Sequence, residues 1–424
     1  MNQASTLAQR CWQKRHADWL YTTRASERLN PHLAELQPYP FERLAKLLAG
    51  TKAAPKSPIL WSIGEPKHAA PPFIAEIIAK EIGGLSSYPL TIGEGDLREA
   101  ICDWLKVRFK LSPDSISKDR NILPCNGSRE ALFAFVQAAV KPGPDALVLM
   151  PNPFYQIYEG AALLAGAQPY FLNVDPQTLL PDFDSVPEAI WQQCQILIIC
   201  TPGNPTGAVI PAGQIEKLVK LADQYDFILA SDECYSELYP DESQPPVGLL
   251  EVCAGMGRED YKRCIVFHSL SKRSNLPGMR SGFIAGDADI IAQFKLYRTY
   301  HGCAMSPPFQ KASTAAWRDE EHVIANRVLY RQKFTAVLAT IAPVMKVAPA
   351  QGAFYLWPET NIEDTEFTRL LFARENLTVV PGTYLSRPAH GTNPGANRVR
   401  MALVAPLEEC IEGAQRLRSF VESL

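Results

Sequence analysis

The sequence predicts an α/β fold built around a mostly parallel β-sheet. Three short apolar runs have the length and residue types of buried strands, and each is followed at once by polar residues. The runs and the polar segments after them are 196–200 with 201–207, 227–230 with 231–235, and 264–267 with 269–280. Apolar residues at helical spacing within 213–225 predict a helix that joins the first two strands as a βαβ unit. Because ligands of open parallel sheets bind beyond the carboxyl ends of the strands, the three polar segments should converge on one site.

The third polar segment contains a lysine that could bind a cofactor covalently. The amine of Lys272 can form a Schiff base with an aldehyde cofactor once burial or a neighbouring cation lowers its pKa. Ser269, Ser271 and Arg280 are suitable ligands for a phosphate group. A lone lysine after a strand more often belongs to an ordinary surface loop, so this interpretation depends on the other two segments.

The other two segments supply Asn204, Asp232 and Tyr235. Together with Lys272 they match the needs of pyridoxal phosphate (PLP), since the lysine holds the aldehyde and the aspartate keeps the pyridine nitrogen protonated. Asn204 and Tyr235 could hydrogen-bond the phenolic oxygen of the ring. The sequence therefore predicts a PLP site at this edge of the sheet.

A further phosphate-binding element is predicted where a helix opens after residue 125. Gly127, Ser128 and Arg129 stand at its start, where free amide hydrogens and the positive end of the helix dipole attract a phosphate. Ser128 could equally serve only as the helix N-cap, which is how most such serines are used. We predict that these three residues bind the cofactor.

Three motifs resemble those of one enzyme family. Asn-Pro-Thr-Gly at 204–207, Ser-Asp-Glu-Cys-Tyr at 231–235 and the segment 269–282 have the order and spacing of the fold-type I, PLP-dependent aminotransferases of class I and II. The similarity runs from about Asn30 to the C-terminus. It implies a large PLP-binding domain at 71–309, with a mostly parallel seven-stranded sheet between helices. It also implies a smaller α+β domain from 30–70, which includes an N-terminal arm, and 310–424.

The N-terminal residues 1–29 stand apart from this similarity. Basic residues outnumber acidic ones there, and the stretch lacks the apolar core of a secretory signal. An organellar transit peptide would have a similar composition. We expect a disordered extension without a chemical role.

The resemblance also implies roles for residues outside the three motifs. Gly64 should lie beside the substrate carboxylate. Tyr155 should stack on the pyridine ring, whereas Phe154 and Tyr158 should be packing residues. Tyr88 should reach the cofactor phosphate of the neighbouring subunit, which implies a homodimer.

Alternating residues predict strands at 351–357 and 397–403. In the second of these, Arg398 and Arg400 should share one face, and one of them should clamp the α-carboxylate. The family pattern favours Arg400 and leaves Arg398 at the surface.

The implied reaction is transamination with glutamate and 2-oxoglutarate as one substrate pair. Similarity at 268–280 and at 393–405 implies N-succinyl-LL-2,6-diaminopimelate and its 6-oxo counterpart as the other pair, in lysine biosynthesis. Aminotransferases for aspartate, aromatic amino acids or acetylornithine remain alternatives. PLP-dependent enzymes that cleave C–S bonds or decarboxylate are others, because they use the same cofactor contacts.

Composition limits the other classes of function. The chain has 424 residues, enough for two or more domains, and its net charge of −3 provides no basic surface for nucleic acid. Its ten cysteines show no paired spacing, which favours a reducing, cytoplasmic compartment. No apolar run approaches the roughly 18 residues of a membrane span. We expect no metal site.

Two further interpretations are weaker. Ser269 and Lys272 match the Ser-x-x-Lys signature of serine β-lactamases, but the chain has no Lys-Thr-Gly partner motif. A transcriptional regulator that borrows this fold would need a DNA-binding module, for which the N-terminal extension is too short.

Overall fold

The structure is a computed structural model that describes residues 29–302 and 304–424. The chain divides into two compact units, Met1–Gln37 and Pro38–Leu424. In the first unit, the described residues form a 3₁₀ turn at Pro31–Glu35, which begins after Asn30, whose side chain accepts a hydrogen bond from the backbone of His32. The predicted disordered extension lies almost wholly outside the described residues.

The second unit contains all the strands and α-helices of the described chain. The strands are β1 Ile59–Leu60, β2 Ile122–Cys125, β3 Leu147–Asn152, β4 Gln168–Asn173, β5 Cys194–Cys200, β6 Ile228–Asp232, β7 Cys264–Ser269, β8 Gly282–Gly286, β9 Tyr355–Leu356, β10 Leu377–Thr378, β11 Val380–Pro381 and β12 Val399–Ala402. The helices are α1 Pro40–Leu48, α2 Phe73–Lys80, α3 Gly95–Arg108, α4 Ser128–Ala139, α5 Ile157–Leu164, α6 Glu188–Gln193, α7 Ala212–Tyr225, α8 Leu249–Gly255, α9 Leu270–Arg273, α10 Ala288–His301, α11 Pro307–Arg318, α12 Glu321–Ile341, α13 Asp364–Glu375 and α14 Leu407–Glu422. In this part of the chain, no helix combines the length and the apolarity needed to cross a membrane.

A seven-stranded sheet forms the centre of this unit, in the order β2-β8-β7-β6-β5-β3-β4. β8 runs antiparallel to β2 and β7, and the other neighbouring pairs are parallel. The predicted, mostly parallel seven-stranded sheet is therefore confirmed. Cys200 at the end of β5 pairs with Asp232, which in turn pairs with Phe267 of β7. The polar segments that follow these three strands thus emerge side by side.

The sheet is covered on both faces. Leu197 and Ile199 of β5 belong to one hydrophobic cluster, whereas Ile196 and Ile198 belong to another. Because successive side chains of a strand point to opposite faces, these clusters are the cores on the two sides of the sheet. α7 packs into the first core and α4 into the second. This double burial explains why the strand sequences are continuous apolar runs rather than alternating ones.

A third core combines residues from both ends of the unit. It includes Ile59 and Trp61, together with side chains of α12, α13 and α14. Two small sheets border it, one pairing β1 with β10 and one in the order β11-β12-β9. This arrangement is compatible with a separate small domain, but the predicted boundaries at residues 70 and 310 remain a proposal.

Two strands predicted in this region are shorter than expected. The strand predicted at 351–357 is confined to Tyr355–Leu356. The backbone N–H groups of Gln351 and Gly352 both donate to the carbonyl oxygen of Gly207, at 3.0 Å each, so they are not available to a sheet partner. The strand predicted at 397–403 is Val399–Ala402.

Candidate active site

A cavity of about 440 Å³ lies at the carboxyl ends of β5, β6 and β7. The residues predicted from the sequence that line it are Gly64, Ser128, Arg129, Tyr155, Asn204, Asp232, Tyr235, Ser269, Lys272, Arg280 and Arg400. Gly127 lies against Arg280 at the same edge. The structure thus brings together every predicted site residue except Tyr88.

Lys272 lies in the short helix α9, directly after β7. This helix begins at Ser269, whose hydroxyl accepts a hydrogen bond from the backbone of Ser271 at 3.0 Å. The Lys272 side chain is half-buried, and its Nζ donates to the carbonyl oxygen of Gly64 at 2.7 Å. Burial lowers the pKa of Lys272 to about 8, and the cationic Arg400 acts in the same direction. Near neutral pH the amine therefore has an appreciable neutral, nucleophilic fraction.

Asp232 ends β6 and is buried. Tyr158 Oη donates a hydrogen bond to Asp232 Oδ2 at 2.6 Å, and the backbone N–H of Cys234 donates to Oδ1 at 3.2 Å. Burial raises the pKa of Asp232, whereas these two hydrogen bonds lower it. A buried carboxylate that faces a cavity favours a cationic or protonated partner there.

The N-terminus of α4 and Arg280 form a cradle for an anion. Gly127 occupies the N-cap position with φ +85°, and Ser128 is the first residue of the helix. The alternative in which Ser128 is the N-cap is therefore wrong. A Cβ atom on Gly127 would lie 2.4 Å from Arg280 Nη2, so the guanidinium packs directly on this glycine. Amide hydrogens at a helix start beside a guanidinium suit a phosphate group.

Arg400 and Arg398 have different environments. Arg400 Nη2 donates to the carbonyl oxygen of Ser62 at 2.8 Å and Nη1 to Asn204 Oδ1 at 3.2 Å. Its Nε is buried and has no hydrogen-bond partner within the described residues. Arg398 is instead neutralised by Glu359, at 2.7 Å from Nη2, and is 9% exposed, so the predicted surface position of Arg398 is wrong. Arg400 is thus the arginine that can still bind a carboxylate.

Gly64 packs against a tyrosine that the sequence analysis overlooked. A Cβ atom at Gly64 would lie 2.2 Å from Tyr355 Oη, which explains the need for glycine. Tyr355 Oη lies 2.9 Å from Tyr235 Oη, and the Arg400 guanidinium lies 4.7 Å from the centre of the Tyr355 ring. Tyr355 therefore contacts Gly64, Tyr235 and Arg400 on one side of the cavity.

The sequence did not indicate Tyr39 as a site residue, and it predicted Tyr158 to be a packing residue. Both line the cavity, as does Tyr155. Tyr158 follows Tyr155 by three positions, so both could lie on one helical face, and this spacing was the available signal. Nothing in the local sequence around Tyr39 indicated that it covers the site.

Tyr88 does not line the cavity. Tyr88 is 101% exposed, so it packs against none of the residues that the structure describes. The predicted contact with the cofactor of a second subunit remains a proposal.

Residues 56–417 match the family model of aminotransferase class I and II. The chain belongs to this family. Aminotransferases of class I and II depend on PLP, and the cavity fits that cofactor. A lysine of lowered pKa can take the aldehyde, the buried Asp232 suits a protonated ring nitrogen, and the glycine-lined cradle suits the phosphate. The β-lactamase interpretation of Ser269 and Lys272 is accordingly wrong.

Individual aminotransferases resemble the chain over nearly its whole length. The LL-diaminopimelate aminotransferase of Nitratidesulfovibrio vulgaris (strain DSM 19637 / Miyazaki F) is 30% identical over 401 residues, which are 93% of this chain and 99% of that protein. A solved aminotransferase from Neisseria meningitidis Z2491 is 43% identical, with a TM-score of 0.89, and the match covers 92% of this chain and 99% of the other. The aminotransferase AspB from Helicobacter pylori 26695 is 34% identical, with a TM-score of 0.84 and coverage of 92% and 100%.

Proposed function

We propose that this aminotransferase transfers the amino group of N-succinyl-LL-2,6-diaminopimelate to 2-oxoglutarate, which forms N-succinyl-2-amino-6-oxopimelate and glutamate. The charge of the cavity is the observation that carries this proposal. Its charged lining residues are four bases, Arg129, Lys272, Arg280 and Arg400, and one acid, Asp232. With Lys272 assigned to the aldehyde, Arg280 to the phosphate and Arg400 to the α-carboxylate, Arg129 is the cation proposed for a second carboxylate, in place of the cofactor contact predicted for it from the sequence. All the proposed substrates carry more than one carboxylate.

The similarity to LL-diaminopimelate aminotransferase supports a substrate of the diaminopimelate type. The succinylated form is favoured by the likeness of the stretches 268–280 and 393–405 to the enzymes that act on it. LL-diaminopimelate itself is the second candidate, because the relative from Nitratidesulfovibrio vulgaris is named for it.

When bound, PLP supplies an aldehyde that bonds covalently to a lysine and a ring that withdraws electrons from the substrate Cα. Lys272 is the residue proposed to take the aldehyde. Once the substrate amine has replaced it, Lys272 Nζ would act as the general base that accepts the substrate Cα proton, and its ammonium would then act as the acid that gives this proton up. Its lowered pKa suits both steps, because the amine can be neutral when it accepts and charged when it donates.

The other residues bind and orient. The Gly127–Ser128 backbone and Arg280 would hold the phosphate, and Asp232 would accept a hydrogen bond from the protonated ring nitrogen. Because Arg400 donates to Asn204 Oδ1, the Asn204 amide N–H₂ remains free to donate to the phenolic oxygen. Arg400 binds the α-carboxylate through its unpaired Nε and a neighbouring Nη.

A panel of amino donors assayed with 2-oxoglutarate tests the substrate. The panel contains N-succinyl-LL-2,6-diaminopimelate, LL-diaminopimelate, N-acetylornithine, aspartate and phenylalanine, with cystathionine to detect C–S cleavage. We expect the succinylated donor to give the highest kcat/KM. A higher kcat/KM for any other donor would identify that donor as the substrate instead.

A Lys272→Ala variant tests the role of the lysine. It should bind PLP through the phosphate cradle yet show the absorption spectrum of the free aldehyde, and it should not turn over. If the purified variant kept the spectrum of the wild-type enzyme, another lysine would hold the cofactor.

We also propose that the active enzyme is a homodimer. Ile82, Leu85, Tyr88 and Leu90 are all strongly exposed within one short stretch. This concentration of exposed apolar side chains, together with a predicted phosphate ligand that does not line the cavity of its own chain, favours a second copy as the partner.

A further inference from the structure

Lys333 is a buried lysine without a carboxylate partner in the described chain. It lies on α12, is 2% exposed, and its Nζ is 2.6 Å from His68 Nε2 and 3.2 Å from the carbonyl oxygen of Val404, to which it donates. The Nζ also lies 5.0 Å from the centre of the Tyr330 ring. Burial lowers the pKa of Lys333 to about 8, and Glu409 acts against this shift without a hydrogen bond to the lysine. All its close contacts are neutral, so a structural ion pair does not explain this residue.

The contact with Lys333 fixes the tautomer of His68. A protonated lysine is a donor only, so His68 Nε2 accepts and the ring proton sits on Nδ1. His68 Nδ1 then donates to Asn326 Oδ1 at 2.6 Å. Burial and the nearby Lys333 lower the pKa of His68, which keeps the ring neutral. The position of Lys333 therefore fixes the orientation of the His68 ring, which in turn fixes the position of the Asn326 side chain.

Asn326 extends this chain of hydrogen bonds to the segment that contains Lys272. Its Oδ1 also accepts from Asn275 Nδ2 at 3.0 Å, and Asn275 follows Lys272 by three residues. Asn326 and Lys333 are seven positions apart, so they lie on the same face of α12. Asn326 Nδ2 is buried and has no hydrogen-bond partner in the described structure. Asn326 therefore contributes only its Oδ1 atom to this network.

The network connects the three segments that supply the reacting groups. Val404 follows Arg400 by four residues, and His68 follows Gly64, the acceptor of the Lys272 Nζ hydrogen bond, by four. Asn275 belongs to the loop between Lys272 and Arg280. One face of α12 is therefore connected to the segments of Arg400, the Gly64 carbonyl and Lys272, and it fixes their relative positions.

We propose that Lys333, acting through His68 and Asn326, is a positioning residue that sets the geometry of Lys272, the Gly64 carbonyl and Arg400. This inference rests on the proposed role of Lys272 as the cofactor lysine. Lys333 touches neither substrate nor cofactor. Its effect is transmitted by the hydrogen bonds described above, and displacements of about 1 Å in an active site can cost roughly 100-fold in rate.

Three holoenzyme variants test the proposal. Lys333→Met removes the ammonium, and Asn326→Leu removes the shared acceptor. Asn326→Asp keeps an acceptor oxygen for both His68 and Asn275 and loses no existing hydrogen bond. Lys346→Met is a matched control, because Lys346 is an exposed lysine that follows the same helix and pairs with Glu359.

The first measurement is the pH titration of the visible absorbance of the bound cofactor. If the Gly64 carbonyl moves away, the nitrogen of Lys272 loses an acceptor that favours its protonated form. In Lys333→Met and Asn326→Leu, the midpoint should therefore move to lower pH, by about half a unit or more. Asn326→Asp and Lys346→Met should keep the wild-type midpoint.

The second measurement is kinetic. Lys333→Met and Asn326→Leu should each lose about 10- to 100-fold in kcat/KM for both substrate pairs, and the double variant should lose little more than either single one. Asn326→Asp and Lys346→Met should stay within about threefold of wild type. If Lys333→Met does not fold, the two Asn326 variants carry the test.

The proposal is overturned if Lys333→Met and Asn326→Leu keep the wild-type titration and kcat/KM while only their melting temperatures fall. The Lys272→Ala spectrum separates this outcome from a failure of the proposed function. A wild-type spectrum in Lys272→Ala removes Lys272 as the cofactor lysine, whereas a free-aldehyde spectrum with unaltered Lys333→Met overturns the positioning role alone.

Discussion

At the scale of single residues, Asp232 shows how the fold maintains an anion in its interior. Burial raises its pKa, and the hydrogen bond from Tyr158 opposes that effect. A hydrogen bond to a charged group contributes about 1.5–3 kcal/mol, so the Tyr158 hydroxyl favours the charged form of Asp232. The hydroxyl of Tyr158 is therefore part of what makes Asp232 a partner for a protonated ring nitrogen.

Tyr158→Phe should consequently lower kcat/KM by roughly 10- to 100-fold while the fold is kept, because the same 1.5–3 kcal/mol is lost from the charged form of Asp232. Single-turnover rates of the amino-donor half-reaction measure this effect. Tyr170→Phe is a suitable control, since Tyr170 makes no side-chain hydrogen bond in the described structure and lies on the sheet-edge strand β4. Equal rates in wild type and Tyr158→Phe would mean that Asp232 needs no support from the hydroxyl.

The pKa of Lys272 predicts how cofactor loading depends on pH. Only the neutral amine attacks an aldehyde, and burial lowers the pKa from 10.5 to about 8. The rate constant for PLP binding to cofactor-free protein should thus rise about tenfold per pH unit below 8 and level off above it. Stopped-flow absorbance, with Lys272→Ala as the blank, gives this profile. A midpoint close to 10.5 would contradict the effect of burial.

At the scale of secondary-structure elements, the start of α4 depends on one glycine. Gly127 has φ +85° and ψ 155°, a combination that costs a residue with a side chain about 1–3 kcal/mol, and a Cβ atom would also collide with the Arg280 guanidinium. Gly127→Ala should therefore displace Arg280 and weaken PLP binding by about tenfold or more.

Equilibrium titration with PLP, followed by fluorescence, measures this loss. Gly213→Ala is the matched control, because it places the same methyl group near the start of α7 with no atom within 4 Å. An unchanged dissociation constant in Gly127→Ala would show that the cradle does not bind the phosphate.

The strands and their ends could be predicted from sequence, and the contacts between distant segments could not. Apolar runs indicated β5, β6 and β7, and the parallel-sheet rule then brought Asn204, Asp232 and Lys272 together. Arg398 and Arg400 were indistinguishable by pattern, because they differ in a distant contact: Glu359 pairs with Arg398 and not with Arg400. The shortened strand at 355–356 depends likewise on Gly207, which accepts the backbone hydrogens of residues 351 and 352.

The segment after Lys272 is anchored in a way that resembles a hydrolase site. Ser274 Oγ lies 2.8 Å from His322 Nε2, and His322 Nδ1 contacts Asp319. Because Ser274 is 0% exposed, no substrate can reach this Ser-His-Asp arrangement. Its effect is instead to fasten α9 to the start of α12, next to the Asn275–Asn326 contact.

At the scale of the whole molecule, the exposed Tyr88 makes assembly testable. If Tyr88 of the partner subunit completes each cofactor site, then mixing inactive Lys272→Ala with an inactive Tyr88→Ala variant should restore activity. In the hybrid dimer one site carries both defects and the other carries neither, so activity should approach half that of the wild-type dimer, diluted by homodimers. Subunit exchange must be shown separately, for example with differently tagged chains. Exchange without recovery would exclude this role for Tyr88.

The third core also has a consequence for synthesis of the protein on the ribosome. Trp61 is fully buried against Gly413, and Ser62 binds Arg400, which lies 338 residues later. At roughly 5–20 residues per second, the nascent chain keeps Trp61 and Ile59 without their partners for about 20–70 s. The first strand is therefore an apolar segment whose core is incomplete until α14 has been synthesised. A ribosome that stops before α14 would release a chain with this segment still uncovered.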